Sequence, residues 1–231
     1  MSLRDTGVSE FRCRTLQFMI FTPETTDELT PTDTGVWLVT TKTAQQVWDL
    51  DDMWFTRLSS PVSTPMLGDD ERQPIYKIGA LPKIGRGSLV WFDDPVDPFG
   101  TAQWRISSFA RRIMRLPDLS AVEQRFAAGE SRAIDIQRGW YPLLADLDAK
   151  LAEADPTLQY SQIKEKGGGL RIYTYGGDDK TEALIREAER ISWRTCERCG
   201  DAGTLHESPT WYQRTLCPPC AVVLNHTEVE R

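Results

Sequence analysis

Cys196-Glu197-Arg198-Cys199-Gly200, followed by Cys217-Pro218-Pro219-Cys220-Ala221, is the stretch on which the fold of the C-terminal half turns. A Cys-x2-Cys pair puts two sulfurs on one tight turn. The 17 residues between Cys199 and Cys217 let a hairpin return so that four thiolates converge, which is the spacing of a structural zinc site. Cys196, Cys199, Cys217 and Cys220 are therefore the expected metal ligands, and Zn²⁺ the expected cofactor. Four sulfur ligands close the coordination sphere and leave no position for water or substrate, so the expected role is structural. A finger over residues 195–225 is too small to carry an apolar core of its own, and the metal would supply its folding energy. Gly200 suits the turn after the first pair, and residues 221–225 can begin a short helix after the second, a treble-clef-like layout. His206 as a replacement ligand and Cys217 with Cys220 as a redox pair are the competing assignments. Two matched pairs at finger spacing favour metal.

Upstream of the finger the periodicity is helical. Trp140, Leu143, Leu144, Leu147 and Leu151 fall on one face of a helix that ends before Asp155-Pro156, with Pro142 in its first turn. Residues 162–175 read as a charged lead-in, the triplet Gly167-Gly168-Gly169 and a strand. Gly176-Gly177-Asp178-Asp179 then turns the chain into a helix beginning near Thr181, whose buried face would be Leu184, Ile185, Ala188 and Ile191. Residues 120–128 suit a short connecting helix. Arg186, Arg190, Arg194 and Arg198 recur every four residues. If the helix persists they share a face beside the finger, either as a stripe that binds a partner or as a solvated face matched by Glu182, Glu187 and Glu189. Trp193, Trp211 and Tyr212 surround the finger, and Trp211 with the four arginines forms the expected partner-contact set.

The first half has another rhythm. Short β-branched and aromatic runs at 16–21, 36–41, 46–50, 54–58, 75–78, 89–92 and 104–109 are broken by Gly, Pro, Asp and Ser, with no helical pattern between them. They predict an antiparallel β-sandwich or small barrel. Val36-Trp37-Leu38-Val39 is apolar throughout, as a strand buried on both faces would be. Asp49, Asp51 and Asp52, and later Asp93, Asp94 and Asp97, lack the ordered ligand ladder of a calcium loop and are assigned to turns. Ile84-Gly85-Arg86-Gly87-Ser88 lacks the Lys-Ser/Thr ending and following helix of a phosphate loop and reads as a tight turn. Arg105, Arg111, Arg112 and Arg115 mark either an acidic-partner patch or a solvated strand end. Cys13 reads as a small buried hydrophobe.

The fold class expected is thus α+β, with an antiparallel β module over 1–118, a linker with its connecting helix over 119–138, and an α+β domain over 139–231. A net charge of −7 argues against a broad nucleic-acid footprint. No run approaches the roughly 20 apolar residues of a membrane span, and the N-terminus lacks a secretory core, so the expected location is the cytoplasm, where paired cysteines point to metal.

Residues 139–221 resemble a family of phage and prophage proteins. The resemblance is carried by Gly139-Trp140, by Lys164-Glu165-Lys166 through Gly168, Leu170, Arg171 and Tyr173, and by the motif from Cys196 to Ala221. Gly167 departs from it, standing where that family usually has an aromatic residue. The first half is similar to a β module of actinobacterial and actinophage proteins through 35–41, 47–51, 56–58, Ile84-Gly85 and 104–108. The finger spacing is similar to GATA-type DNA-binding fingers and to DksA/TraR-type fingers, without the basic tail of the first or the acidic-tipped coiled coil of the second, which Asp146-Leu147-Asp148 echoes only faintly. These likenesses imply an architecture and a phage-type setting, and no activity. The expected function is a non-enzymatic adaptor or regulator that binds a protein partner. Nucleic-acid binding through the finger and the arginines is the alternative. No membrane role and no small-molecule cofactor are expected, and the two histidines and lack of a nucleophile motif leave an enzyme third.

Overall fold

The computed structural model describes residues 22–92 and 103–229. The expected strand 16–21, Cys13, and Asp93, Asp94 and Asp97 lie outside the described residues. Eight strands precede the first helix: β1 (Thr25–Thr26), β2 (Val36–Thr41), β3 (Gln45–Asp49), β4 (Trp54–Leu58), β5 (Gln73–Ala80), β6 (Leu89–Phe92), β7 (Gln103–Ile106) and β8 (Ala110–Leu116). They form one antiparallel sheet in the order β1-β8-β2-β3-β4-β5-β6-β7. β7 and β8 stand six positions apart, about 29 Å in a flat sheet. Residues 107–109 join them, a reach of about 14 Å at most. The sheet therefore curls, and bridges Glu28 to Lys83 and Ile84 to Ala110 link its irregular edges.

The curl explains why β2 is apolar on both faces. Trp37 and Val39 turn inward to a core with Trp48, Phe55, Val90, Phe92 and Ile113, where Trp48 meets Phe55 edge to face at 5.2 Å. Leu38 turns outward to a second cluster with Met114, Leu116 and Tyr141. β8 is more than the partner patch or solvated strand end expected of its arginines: residues 110–116 form a full strand between β1 and β2. Its arginines are spent internally. The Arg111 Nε donates to the Thr41 carbonyl at 3.2 Å, and Arg115 pairs with Glu24 at 3.2 Å while lying over the Trp37 ring. The acidic turn behaves as expected, with Asp51 accepting from the Gly35 amide and Asp49 from the Asp52 amide.

The second part comprises α1 (Ser120–Gln124), β9 (Ile134–Asp135), α2 (Tyr141–Ala154), β10 (Gln159–Lys166), β11 (Gly169–Tyr175), α3 (Asp179–Ser192), β12 (Thr204–Glu207), β13 (Gln213–Leu216), α4 (Pro218–Leu224) and β14 (Thr227–Glu228). Sheets β11-β10-β9 and β13-β12-β14 are separate. The predicted stripe Trp140, Leu143, Leu144, Leu147 and Leu151 is buried against Tyr160, Ile163, Leu170, Ile172 and Ile185. Residues 119–138 are more than a linker, because Leu119, Val122 and Phe126 belong to this core, and α1 is shorter than 120–128. Asp148 is no exposed tip: it is buried, accepts from the Tyr160 hydroxyl at 2.7 Å and pairs with Arg125 at 3.2 Å. Burial, with that hydrogen bond, holds the Tyr160 phenol far above its usual range.

The charged lead-in is itself strand β10, whose alternation sends Ile163 inward and Lys164 outward. Gly167 and Gly168 both have positive φ, 59° and 82°, the two-residue hairpin turn that glycine serves best. α3 starts with a reciprocal cap in which Asp178 accepts from the Thr181 amide and the Thr181 hydroxyl oxygen accepts from the Asp178 amide.

Candidate metal centre

The first cysteine pair sits on a turn closed by two backbone hydrogen bonds, Gly200 N to Cys196 O at 2.8 Å and Cys196 N to Asp201 O at 2.7 Å. Gly200 is required twice over. Its φ is +75°, and an added Cβ would lie 2.6 Å from the Met114 sulfur on β8. The second pair is built into a helix start, where Cys217 O accepts from Ala221 N at 2.9 Å and Pro218 and Pro219 occupy the first turn, in which amides have no intrahelical partner. The hairpin β12–β13 joins the two turns and brings all four sulfurs within 4.8 Å of one another. The Cys199 and Cys217 sulfurs are 3.6 Å apart. Sulfurs at tetrahedral corners around zinc, with bonds of ~2.3 Å, stand about 3.8 Å apart.

All four cysteines are buried and free of disulfides. Burial pushes the Cys196 thiol well up, whereas hydrogen bonds from neighbouring thiols, Cys196 foremost, hold Cys217 and Cys220 below their usual range. His206 is buried in β12 with its Nδ1 2.9 Å from the Thr204 carbonyl, and among the described residues the cluster consists of the four cysteines alone. Cys217 and Cys220 do not stand apart as a redox pair; they share their pocket with Cys196 and Cys199.

Three layers of contact hold the pocket. Gly139 donates its amide to Glu197 O at 2.8 Å, and a Cβ there would lie 2.5 Å from Cys196 O, so only glycine lets the backbone come this close. Trp140 donates its indole N–H to Thr195 O at 2.6 Å. The Gly167-Gly168 turn abuts the finger, with the Thr215 hydroxyl donating to Gly168 O at 2.6 Å. From the N-terminal sheet, Gln45 Nε2 donates to Arg198 O at 2.6 Å and Arg112 to Gly200 O at 3.1 Å. Between Cys196 and Cys199, Glu197 is fully buried and paired with Arg214. Burial pushes its carboxyl up to about 7 against the pull of that guanidinium, and one of its oxygens has no hydrogen-bond partner among the described residues.

The expected contact residues scatter. α3 ends at Ser192, so the four arginines do not form one helical stripe. Arg186 pairs with Glu182 at 3.0 Å and Arg190 with Glu187 at 2.6 Å, each on the helix surface. Arg194 lies exposed in the turn after the helix. Arg198 is the correction: it is buried, and its guanidinium points at the Cys220 sulfur at 3.7 Å, where it offsets thiolate charge and is closed to a partner. Trp211 is not packed around the finger but stands out from the tip of the β12–β13 hairpin, while Tyr212 beside it lies under the Arg214 guanidinium and donates its hydroxyl to Glu165. Trp211 is 81% exposed with φ +66°, a conformation held by its amide donating to Ser208 O. Gln45 and Glu197 escaped sequence reasoning, and Arg112 was legible only as part of a basic patch, not as a contact of the first cysteine turn. Of the first two, only Glu197, an acid between two cysteines, carried any local signal.

No family model, curated protein or solved structure matches the chain. Among the described residues no helix is long and apolar enough to cross a membrane.

Proposed function

We propose that this chain is a non-enzymatic regulator or adaptor whose C-terminal finger is stapled by one structural Zn²⁺ and presents Trp211 and Tyr212 to a protein partner. The observation that carries it is the buried cluster of four sulfurs, which would satisfy the metal fully and leave it no position for a substrate or an activated water. The layout supports a treble-clef-like finger: a turn with two ligands, the hairpin β12–β13, and a third and fourth ligand at the start of α4. The aromatic tip supports a binding role. An exposed tryptophan held in a left-handed conformation is the type of rigid anchor found at interface hot spots.

Elemental analysis should return about one zinc per chain, and Cys196→Ser or Cys220→Ser should release it and loosen the C-terminal part, since ligation and folding are linked. A fully folded, metal-free protein refutes the zinc assignment. For the partner, a photo-cross-linking residue at position 211 should capture a discrete protein from host lysate, with capture lost when the same probe sits on the exposed face of α3. Capture of nucleic acid alone would refute the protein-adaptor role.

The alternative, nucleic-acid binding through the finger and the arginines, loses the arginine stripe to the pairings of α3. A different surface revives it.

A further inference from the structure

We propose that the outward face of the β11-β10-β9 sheet is a platform for single-stranded nucleic acid. This goes beyond the protein-partner reading and does not depend on it. One face of the sheet sends Ile163, Leu170 and Ile172 into the core under α2 and α3. The other is open at Tyr173, 42% exposed, while Tyr175, 53% exposed, donates its hydroxyl to Glu130 at 2.7 Å. Register places Lys164 beside Arg171 on this outer face, with Lys166 two residues on.

The face carries both signs: Lys164, Lys166 and Arg171 stand on it, and Glu130, Asp135 and Glu189 lie beside it. Lys164 and Lys166 have no ion-pair partner among the described residues, whereas Arg171 pairs with Glu189 at 3.8 Å. Asp135 is in register with Lys164 but forms no ion pair with it. Glu165 points the opposite way, accepting from the Gly168 amide and the Tyr212 hydroxyl. Two of these three cations thus stand unpaired on one sheet face of a chain whose net charge is −7.

Aromatic rings are interleaved with these cations. Tyr173 and Tyr175, two residues apart on one strand face, are about 6.8 Å apart, twice the ~3.4 Å base step of a duplex strand, as suits a stretched single strand. Lys164 Nζ lies 5.3 Å from the Tyr173 ring centre, and the Arg171 guanidinium 5.3 Å from that of Trp193. Gly169 makes room for the indole, since a Cβ there would lie 2.6 Å from Trp193. Rings on a flat face stack on unpaired bases, whereas stacked bases of a duplex offer them nothing. Cations beside the rings then meet the phosphates. An acidic peptide would use the cations and leave the rings idle.

The test is fluorescence anisotropy of labelled oligothymidylate, oligouridylate and a mixed-sequence duplex with the full, zinc-loaded chain between roughly 50 and 200 mM salt. Single strands should bind more tightly than duplex, with log affinity falling by about 0.7 per phosphate contact against log salt, and the two oligomers tell DNA from RNA as the source. Tyr173→Ala should weaken binding roughly tenfold or more, while Tyr173→Phe keeps it. Lys164→Glu with Lys166→Glu should weaken it and flatten the salt slope. These residues are surface groups, so zinc content and melting temperature should stay as in the parent. If Tyr173→Ala unfolds, the lysine pair decides alone. Absence of salt-dependent binding, parental affinity in the lysine variant, or equal competition by an oligoglutamate peptide would each overturn the platform.

Discussion

At the scale of single residues, the finger is shaped as much by what surrounds the cysteines as by the cysteines. Gly139 is the sharpest case, because backbone oxygens of Cys196 and Glu197 lie 2.5 and 2.6 Å from where its Cβ would stand. Backbone cannot rotate aside as a side chain can. Gly139→Ala should therefore destabilise the protein by about 1–3 kcal/mol, as overpacking does, and should make the metal easier to strip in a chelator titration. An alanine variant with parental melting temperature and parental metal retention would refute this role. The meeting of the four sulfurs was legible from spacing alone, since a hairpin between two Cys-x2-Cys turns brings them together. Arg198 was not: its recurrence with Arg186, Arg190 and Arg194 is a helical signal, and the helix stops before reaching it. A guanidinium beside a thiolate and a guanidinium in solvent look identical in sequence.

At the scale of elements, local chemistry was a good guide wherever it acts within one turn or one strand. α2 follows its apolar stripe, and α3 starts where Asp178 and Thr181 cap each other. That cap yields a pH dependence. The Thr181 backbone N–H, foremost among its contacts, holds the Asp178 carboxyl below its usual range. A depressed folded-state value means the contribution is complete above the ordinary carboxylate range, near pH 4, and is lost as pH falls through the lower folded value. Hydrogen-exchange protection of the first turn of α3 should accordingly fall on acidification. Asp178→Asn, a good cap without a charge to titrate, should keep the helix and remove this part of the profile. An unchanged profile in the Asn variant would rule the cap out as its source. β8 and β10 were missed for one reason: alternating Arg, Lys and Glu with apolar residues reads as a solvated surface. On a strand the period of two sets Lys164 and Lys166 opposite buried Ile163, while in β8 arginines stand on both faces beside buried Ile113 and Met114.

At the scale of the whole molecule, the two halves share a boundary that is apolar as well as hydrogen-bonded. Leu38, Met114 and Leu116 on the outer face of the curled sheet are buried with Tyr141 at the start of α2, and Gln45 and Arg112 reach the first cysteine turn. A chain cut after residue 118 would uncover that cluster. It should self-associate in light scattering and melt well below the full protein, because a sheet face of this kind is stable in water only when covered. A monomeric fragment with parental stability would show that the boundary is merely a contact. By itself the sequence determined which four sulfurs converge, the helical stripe of α2 and the strand character of 36–41, 54–58 and 89–92, because each rests on the spacing or chemistry of the residues themselves. Only the tertiary structure decided that the sheet curls, that Gln45 meets Arg198, that Arg198 is buried while Trp211 stands free, and that Lys164, Lys166 and Tyr173 share an open face. Those outcomes depend on which distant surfaces meet, and a side chain's charge or ring carries no record of whether water or protein will lie against it.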